Sequence, residues 1–201
     1  MDFSSIKYHL EQRGYRVFCF SGVQAAADYM DARIDGTTVG LGGSVTLEQM
    51  GLYERLAAHN DVHWHQRVPE GKTDREVRLA ANAAKVYVSS VNGISATGEI
   101  VNIDNNCNRV AAILYGHESV YLVVGRNKIA EDLEGALWRA RNLASPLNAK
   151  RLGRNTPCAK NADRCYDCKS PDRICRGLSV LWMKPAAGAF EVLLIDAELG
   201  Y

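Results

Sequence analysis

Apolar positions recur along the chain with two alternating periods. Spacings of three and four predict helices, and short apolar runs predict strands. Phe3, Ile6, Lys7 and Leu10 share one helical face, and residues 16–20 read as a buried strand. Ser21 and Gln24 have capping-box spacing ahead of a helix that buries Val23, Ala26, Ala27, Met30 and Ile34. Residues 37–41 form a predicted strand that runs into the turn Gly40-Leu-Gly-Gly-Ser44. The next helix carries Leu47, Met50, Tyr53 and Ala57 on one side, and 61–65 reads as another strand. Thr73 and Glu76 form a second capping box, with Val77, Ala80, Ala81 and Ala84 inward. Strands are expected at 85–89, 99–103, 110–114 and 119–124, then a helix over 129–144. Residues 146–176 are polar without a sustained period, and 178–183 and 190–195 read as a closing hairpin. This alternation predicts one α/β domain over 1–201, an open sheet flanked by helices, with a Cys-rich segment inserted before the last strands.

Composition changes this picture little. The 201 residues are 47% hydrophobic and 23% charged, enough to bury one substantial core. A net charge of +1 gives no global attraction to nucleic acid or to an anionic membrane, and no apolar run is long enough to span a bilayer. The charged N-terminal turns lack a signal-peptide apolar region, so the expected location is the cytoplasm. There, clustered cysteines serve as metal ligands or redox groups more often than as disulfides.

Three stretches carry candidate ligand chemistry. In the first, Gly42 and Gly43 let the backbone approach a ligand, and Ser44 and Thr46 add hydroxyls. The turn lacks the Gly-Lys-Ser/Thr ending of a Walker loop. An ordinary turn with Ser44 as helix cap is the plain alternative. In the second, residues 91–109 offer Asn92, Glu99, Asp104, Asn108 and Arg109 between apolar strands. Loops at the carboxyl ends of strands are where α/β sheets bind ligands. Glu99 is a candidate general base or nucleophile, or else a solvent-facing residue after a Thr97-Gly98 hairpin turn. Asp104 reads as a turn residue, and Asn108 and Arg109 as forked donors to a carboxylate or phosphate, with a plain salt bridge the alternative for Arg109. The third stretch, Gly125 to Lys128, adds a point charge between a strand and a helix.

Cysteines raise a separate question. Cys158, Cys165, Cys168 and Cys175 follow a C-x6-C-x2-C-x6-C spacing, with only Cys19 and Cys107 elsewhere. Four thiolates hold zinc or an iron–sulfur cluster, and metal-free thiols or disulfides stay open on spacing alone. Lys160, Arg164, Lys169, Arg173 and Arg176 would offset the negative charge of such a centre. Cys19 reads as a buried small hydrophobe and Cys107 as a loop thiol. His63 and His65 flank Trp64 on one strand face, as a surface pair or a metal pair.

Taken together, GLGGSVTLEQMGL, SSVNGISATGEIVNIDNNCNRVAAILYGHESVYLVVGRNKI and SPLNAKR…TPC…CYDCKSPDRIC resemble the LUD (lactate-utilisation, LutC-like) domain family, in its small stand-alone members. The resemblance implies a fold like glucosamine-6-phosphate deaminase, ribose-5-phosphate isomerase and CoA transferases, and a role beside L-lactate oxidation to pyruvate. It maps the family's glycine turn onto Gly40, Gly42, Gly43, Ser44 and Thr46, and displaces the acid at Glu99 from its place in many relatives. It also favours iron–sulfur over zinc at the cysteines, through the family's iron–sulfur or oxidoreductase partner subunits. The expected ligand is a small carboxylate, phosphate or CoA-linked metabolite. Glu99 is the catalytic candidate, and Gly42, Gly43, Ser44, Thr46, Asn92, Asn108, Arg109 and Lys128 are the binding candidates. A non-catalytic metal-containing redox or assembly subunit, a metabolite sensor and a homo-oligomer are the competing expectations.

Overall fold

The computed structural model describes residues 1–201. Helix α1 (Ser4–Gln12) leads into strand β1 (Arg16–Phe20), helix α2 (Val23–Arg33) and strand β2 (Thr38–Leu41). Two short helices, α3 (Val45–Gln49) and α4 (Leu52–Ala57), precede β3 (Asp61–Trp64), α5 (Asp74–Ala83) and β4 (Val86–Ser90). Next come β5 (Gly93–Ser95), β6 (Ile100–Asp104), α6 (Asn108–Leu114) and β7 (Ser119–Gly125). A 3-10 turn at Arg126–Lys128 joins β7 to β8 (Ile129–Ala130), and α7 (Leu133–Arg139) follows. A π-turn (Ala140–Ala144) continues into α8 (Ser145–Arg151), and α9 (Pro157–Asn161), β9 (Gly177–Leu181) and β10 (Ala189–Ile195) complete the chain.

Six strands form an open, wholly parallel sheet in the order β1-β10-β7-β4-β2-β3. Both faces are covered, which is why its central strands read as unbroken apolar runs. The side-chain period of two divides β7: Val120, Leu122 and Val124 join Phe3 and, from α1, Ile6 and Leu10, while Tyr121 and Val123 join Ala26 and Met30 of α2 with Leu47 and Leu56. A smaller sheet, β8-β5-β6-β9, lies on the α1 side and adds Ile94, Ile100 and Leu181 to that core. Its other face packs Val101 against Ala136 and Ala140.

The Thr73–Glu76 capping box forms as expected: the Thr73 hydroxyl accepts from the Glu76 N–H, and the Glu76 carboxylate accepts from the Thr73 N–H. Such caps contribute about 1 kcal/mol. The Ser21–Gln24 box does not form. Helix α2 starts after Gly22 without a side-chain cap, and Gln24 instead donates to Asp28.

Other differences come from tertiary context. Residues 110–114 form part of helix α6 rather than a strand, because the Asp104 carboxylate accepts from the N–H groups of Arg109 and Val110 and fixes the first turn. A five-residue apolar run fits either structure, and here local capping decides. The helix expected over 129–144 begins at Leu133, since Ile129 and Ala130 pair with β5. It then runs through a π-turn into α8, so part of the segment read as aperiodic is helical. Pro146 has no N–H to bond the carbonyl of Asn142, which favours the wider turn. Strands β9 and β10 are not a hairpin: β9 joins the small sheet antiparallel to β6, and β10 runs parallel between β1 and β7. Cys19 is exposed rather than buried, because β1 is an edge strand.

Candidate functional site

The carboxyl ends of five parallel strands open on one cavity of about 280 Å³. Gly43, Ser44 and Thr46 enter it after β2, His65 after β3, Ser90 at the end of β4 and Asn92 after it, Lys128 after β7, and Gly200 and Tyr201 after β10. The loop after β6 contributes Asp104, Asn108 and Arg109. A far wall comes from α8 and the cysteine segment, with Asn148, Arg151, Arg154 and Ile174. Arg78 of α5 also reaches the cavity. Five permanently or potentially cationic side chains of Arg and Lys therefore surround the space with one acidic side chain, Asp104.

That acid is occupied by the backbone N–H groups of Asn105, Arg109 and Val110. Arg78 pairs with Asp74 at 2.6 Å and donates to the Asn108 side chain. Arg109 has no carboxylate partner. Its two terminal nitrogens donate to the Ser90 and Ile103 carbonyls and to the Asn102 and Asn92 side chains, at 2.6 to 3.1 Å. The fork is thus turned inward, tying β4 to β6, and contributes to the cavity mainly through its charge. Arg139, also buried, donates to the Asn127 and Asn92 carbonyls.

Lys128 is 3% exposed, and its ammonium donates only to hydroxyls: Thr46 Oγ1 at 2.9 Å and Ser90 Oγ at 2.8 Å. Burial, then the fields of Arg139 and Arg109, push its pKa down to about 7. A buried lysine without a counter-ion is costly to keep charged, which marks a place where a ligand supplies the missing negative charge. Burial, then Arg78, also pushes His65 down to about 4, so its ring is neutral at ordinary pH. The ring leaves no room for a side chain on Gly43, whose added Cβ would lie 2.9 Å from it.

Gly42 lies outside the cavity. It extends the sheet, donating to the Val88 carbonyl and accepting from the buried Trp64 indole, and a Cβ there would strike Ser89 Oγ at 2.6 Å. Ser44 caps the short helix α3, its hydroxyl accepting from the Leu47 N–H. Glu99 is not among the lining residues. It follows a turn at Thr97-Gly98 and pairs with Arg13, while the Ser95 and Thr97 hydroxyls donate to its carboxylate. Burial would raise its pKa, but those hydrogen bonds and Arg13 more than offset it and leave it below the usual carboxylate range.

The four clustered cysteines also lie outside the cavity, although Ile174 beside Cys175 lines it. All are free thiols, and no three metal-ligating side chains converge there or elsewhere in the fold. As placed, they do not fit an iron–sulfur cluster or zinc. Cys165 Sγ accepts from Arg141 and from the Asp167 N–H, and Cys175 Sγ accepts from Arg173. Ala149, Ala159 and Ile174 give the segment its own small core. His63 lies near Asp61, and His65 turns to the cavity.

Sequence reading missed Arg78, Ser90, Arg151 and Arg154, and did not rank His65 as a binding residue. Ser90 ends one parallel strand and His65 follows another, a position that signals a ligand site once the sheet order is known. Arg151 and Arg154 carried no such signal.

No helix is long and apolar enough to cross a membrane. A DUF162 family protein from Deinococcus radiodurans is 13% identical, with a TM-score of 0.49, over 97% of this chain and 99% of that one. The eIF2B beta chain from Chaetomium thermophilum is 11% identical with a TM-score of 0.32, over 65% of this chain and 43% of its own length. No curated protein matches the sequence. The family model described as LUD domain matches residues 4–195, and the chain belongs to the LUD domain family.

Proposed function

We propose that the cavity binds a small anionic metabolite through its acid group, and that this binding serves lactate oxidation to pyruvate. Lys128 carries the reading: a buried cation held only by two hydroxyls, at a cavity whose other basic side chains outnumber its one acidic side chain. A carboxylate, a phosphate or the phosphate end of a CoA-linked molecule would supply the charge that no side chain provides. The volume, near the lower bound for small-molecule sites, suits a metabolite of a few carbon atoms. The test is a thermal-melt titration with phosphate, lactate and pyruvate on the wild type and Lys128→Met. Saturable stabilisation of the wild type alone supports the reading, and no stabilisation by any of the three rejects it.

A second reading attaches to the cysteines, as a metal-containing redox or assembly subunit working with a partner. Arg141 and Arg173 donating to Cys165 and Cys175 favour it, because the same cations would offset a thiolate centre. It requires the sulfurs to converge beyond their present placement. Metal analysis and a visible spectrum after anaerobic purification test it.

A further inference from the structure

We propose that Lys128 acts as an amine nucleophile, condensing with the carbonyl of a small 2-oxo carboxylate bound in the cavity to form an imine. The proposal rests on the anion-binding reading above and deepens it by naming the substrate class and the reacting atom.

Three observations converge on the Lys128 Nζ. First, it lies at the cavity wall with no carboxylate to hold it as an ammonium. Second, the guanidinium groups of Arg109 and Arg139, whose fields reach it, are themselves bonded to neutral acceptors, so their positive charge acts uncompensated. Burial and these two cations favour the free amine, the form that attacks a carbonyl. Third, Gly200 packs close to the amine: a Cβ there would meet Thr46 Oγ1 at 2.6 Å and Nζ at 3.3 Å, so any side chain at 200 would crowd the nucleophile. With a pKa of about 7, roughly a thousandfold more of this amine is unprotonated at neutral pH than of an ordinary lysine.

The substrate class follows from the neighbours. Arg154 lines the cavity and forms no ion pair, which suits it to the acid group of an anion, whereas the Arg151 fork is held by the Asn148 side chain. A 2-oxo acid carries its carbonyl beside the acid group, and it would enter the cavity that Lys128 and Arg154 both line. The Nζ lone pair forms the C–N bond while the carbonyl π pair moves to oxygen, which takes a proton. The nitrogen gives up its protons, the hydroxyl leaves as water, and a C=N bond replaces the C=O bond without any change of oxidation state. The Ser90 and Thr46 hydroxyls, both bonded to Nζ, are the groups placed to relay these protons.

Borohydride reduction in the presence of pyruvate would fix such an imine as a stable secondary amine, located by peptide mass mapping. The expected result is an adduct at Lys128 at least about tenfold above that at any other lysine. Lactate, which has no carbonyl, should give none. Lys128→Arg and Lys128→Met should both lose the adduct, so one poorly folding variant would not decide the outcome. Stabilisation by phosphate and pyruvate without an adduct at Lys128 would overturn the imine and leave the anion site standing. An adduct at Lys128 without stabilisation by phosphate would support the imine and reject a general anion site. Absence of both would reject both.

Discussion

Glu99 and Lys128 are both poorly exposed charged groups that sequence motifs singled out, yet their surroundings are opposite. Glu99 meets a guanidinium and two hydroxyls within its own turn and the end of α1. Lys128 meets two hydroxyls and the repulsive fields of two arginines. A compensated charge holds structure together, whereas an uncompensated one must shift its pKa, bind a counter-ion or react. The contrast moves the candidate chemistry from the acid to the base.

The largest effect that would break this comparison is at Lys128 itself. Lys128→Met should weaken phosphate binding by at least about tenfold while raising the melting temperature, because it removes a buried cation that nothing neutralises. Calorimetric titration and a thermal melt measure the two quantities, and a fall in both would show that the lysine is structural. Arg13→Met should do the reverse. It leaves the Glu99 carboxylate without its guanidinium and should cost about 1–3 kcal/mol in denaturant unfolding, with phosphate affinity unchanged.

The two regions should also separate by pH. Phosphate affinity should decline as pH rises through about 7, as Lys128 loses its proton, while Arg109 and Arg139 stay charged and His65, at about 4, stays neutral. In the absence of ligand, stability should rise over the same range and up to the ordinary lysine value, because the unfolded chain binds the proton more tightly. The Glu99 contribution has the opposite limb: its folded pKa is depressed, so its stabilisation is complete above the ordinary carboxylate value and is lost as pH falls through the folded one. Arg13→Met should flatten that acid limb. The smallest effect is expected from Cys165→Ser combined with Cys168→Ser, which should leave phosphate affinity within about twofold because neither thiol lines the cavity. Stoichiometric metal in the wild type that this double variant loses would instead establish the cysteine reading.

Much of the framework was legible from residue order. The Val120–Val124 run, the Thr73–Glu76 box and the glycine turn after β2 act within one or two turns of chain, where periodicity and capping operate. Gly43, Ser44, Thr46, Asn92, Asn108, Arg109 and Lys128 were identified because strand ends carry small and polar residues, and the structure brings all seven to one cavity. Where the local signal was ambiguous it misled. The apolar run 110–114 became a helix once Asp104 capped it, and the last two strands went to different sheets.

The sequence by itself determined an alternating α/β core, a glycine turn leaving a buried strand, and a supply of polar groups at strand ends. Only the tertiary structure decided which charges are neutralised. Arg13 reaches Glu99 across 86 positions, and Thr46 reaches Lys128 across 82. Such pairings depend on strand order and on helices crossing glycines such as Gly40 and Gly93 at close range, where a Cβ would collide with backbone. Hydrophobic periodicity is a local property of the chain, while the electrostatic balance of a buried group is set by everything that folding packs around it.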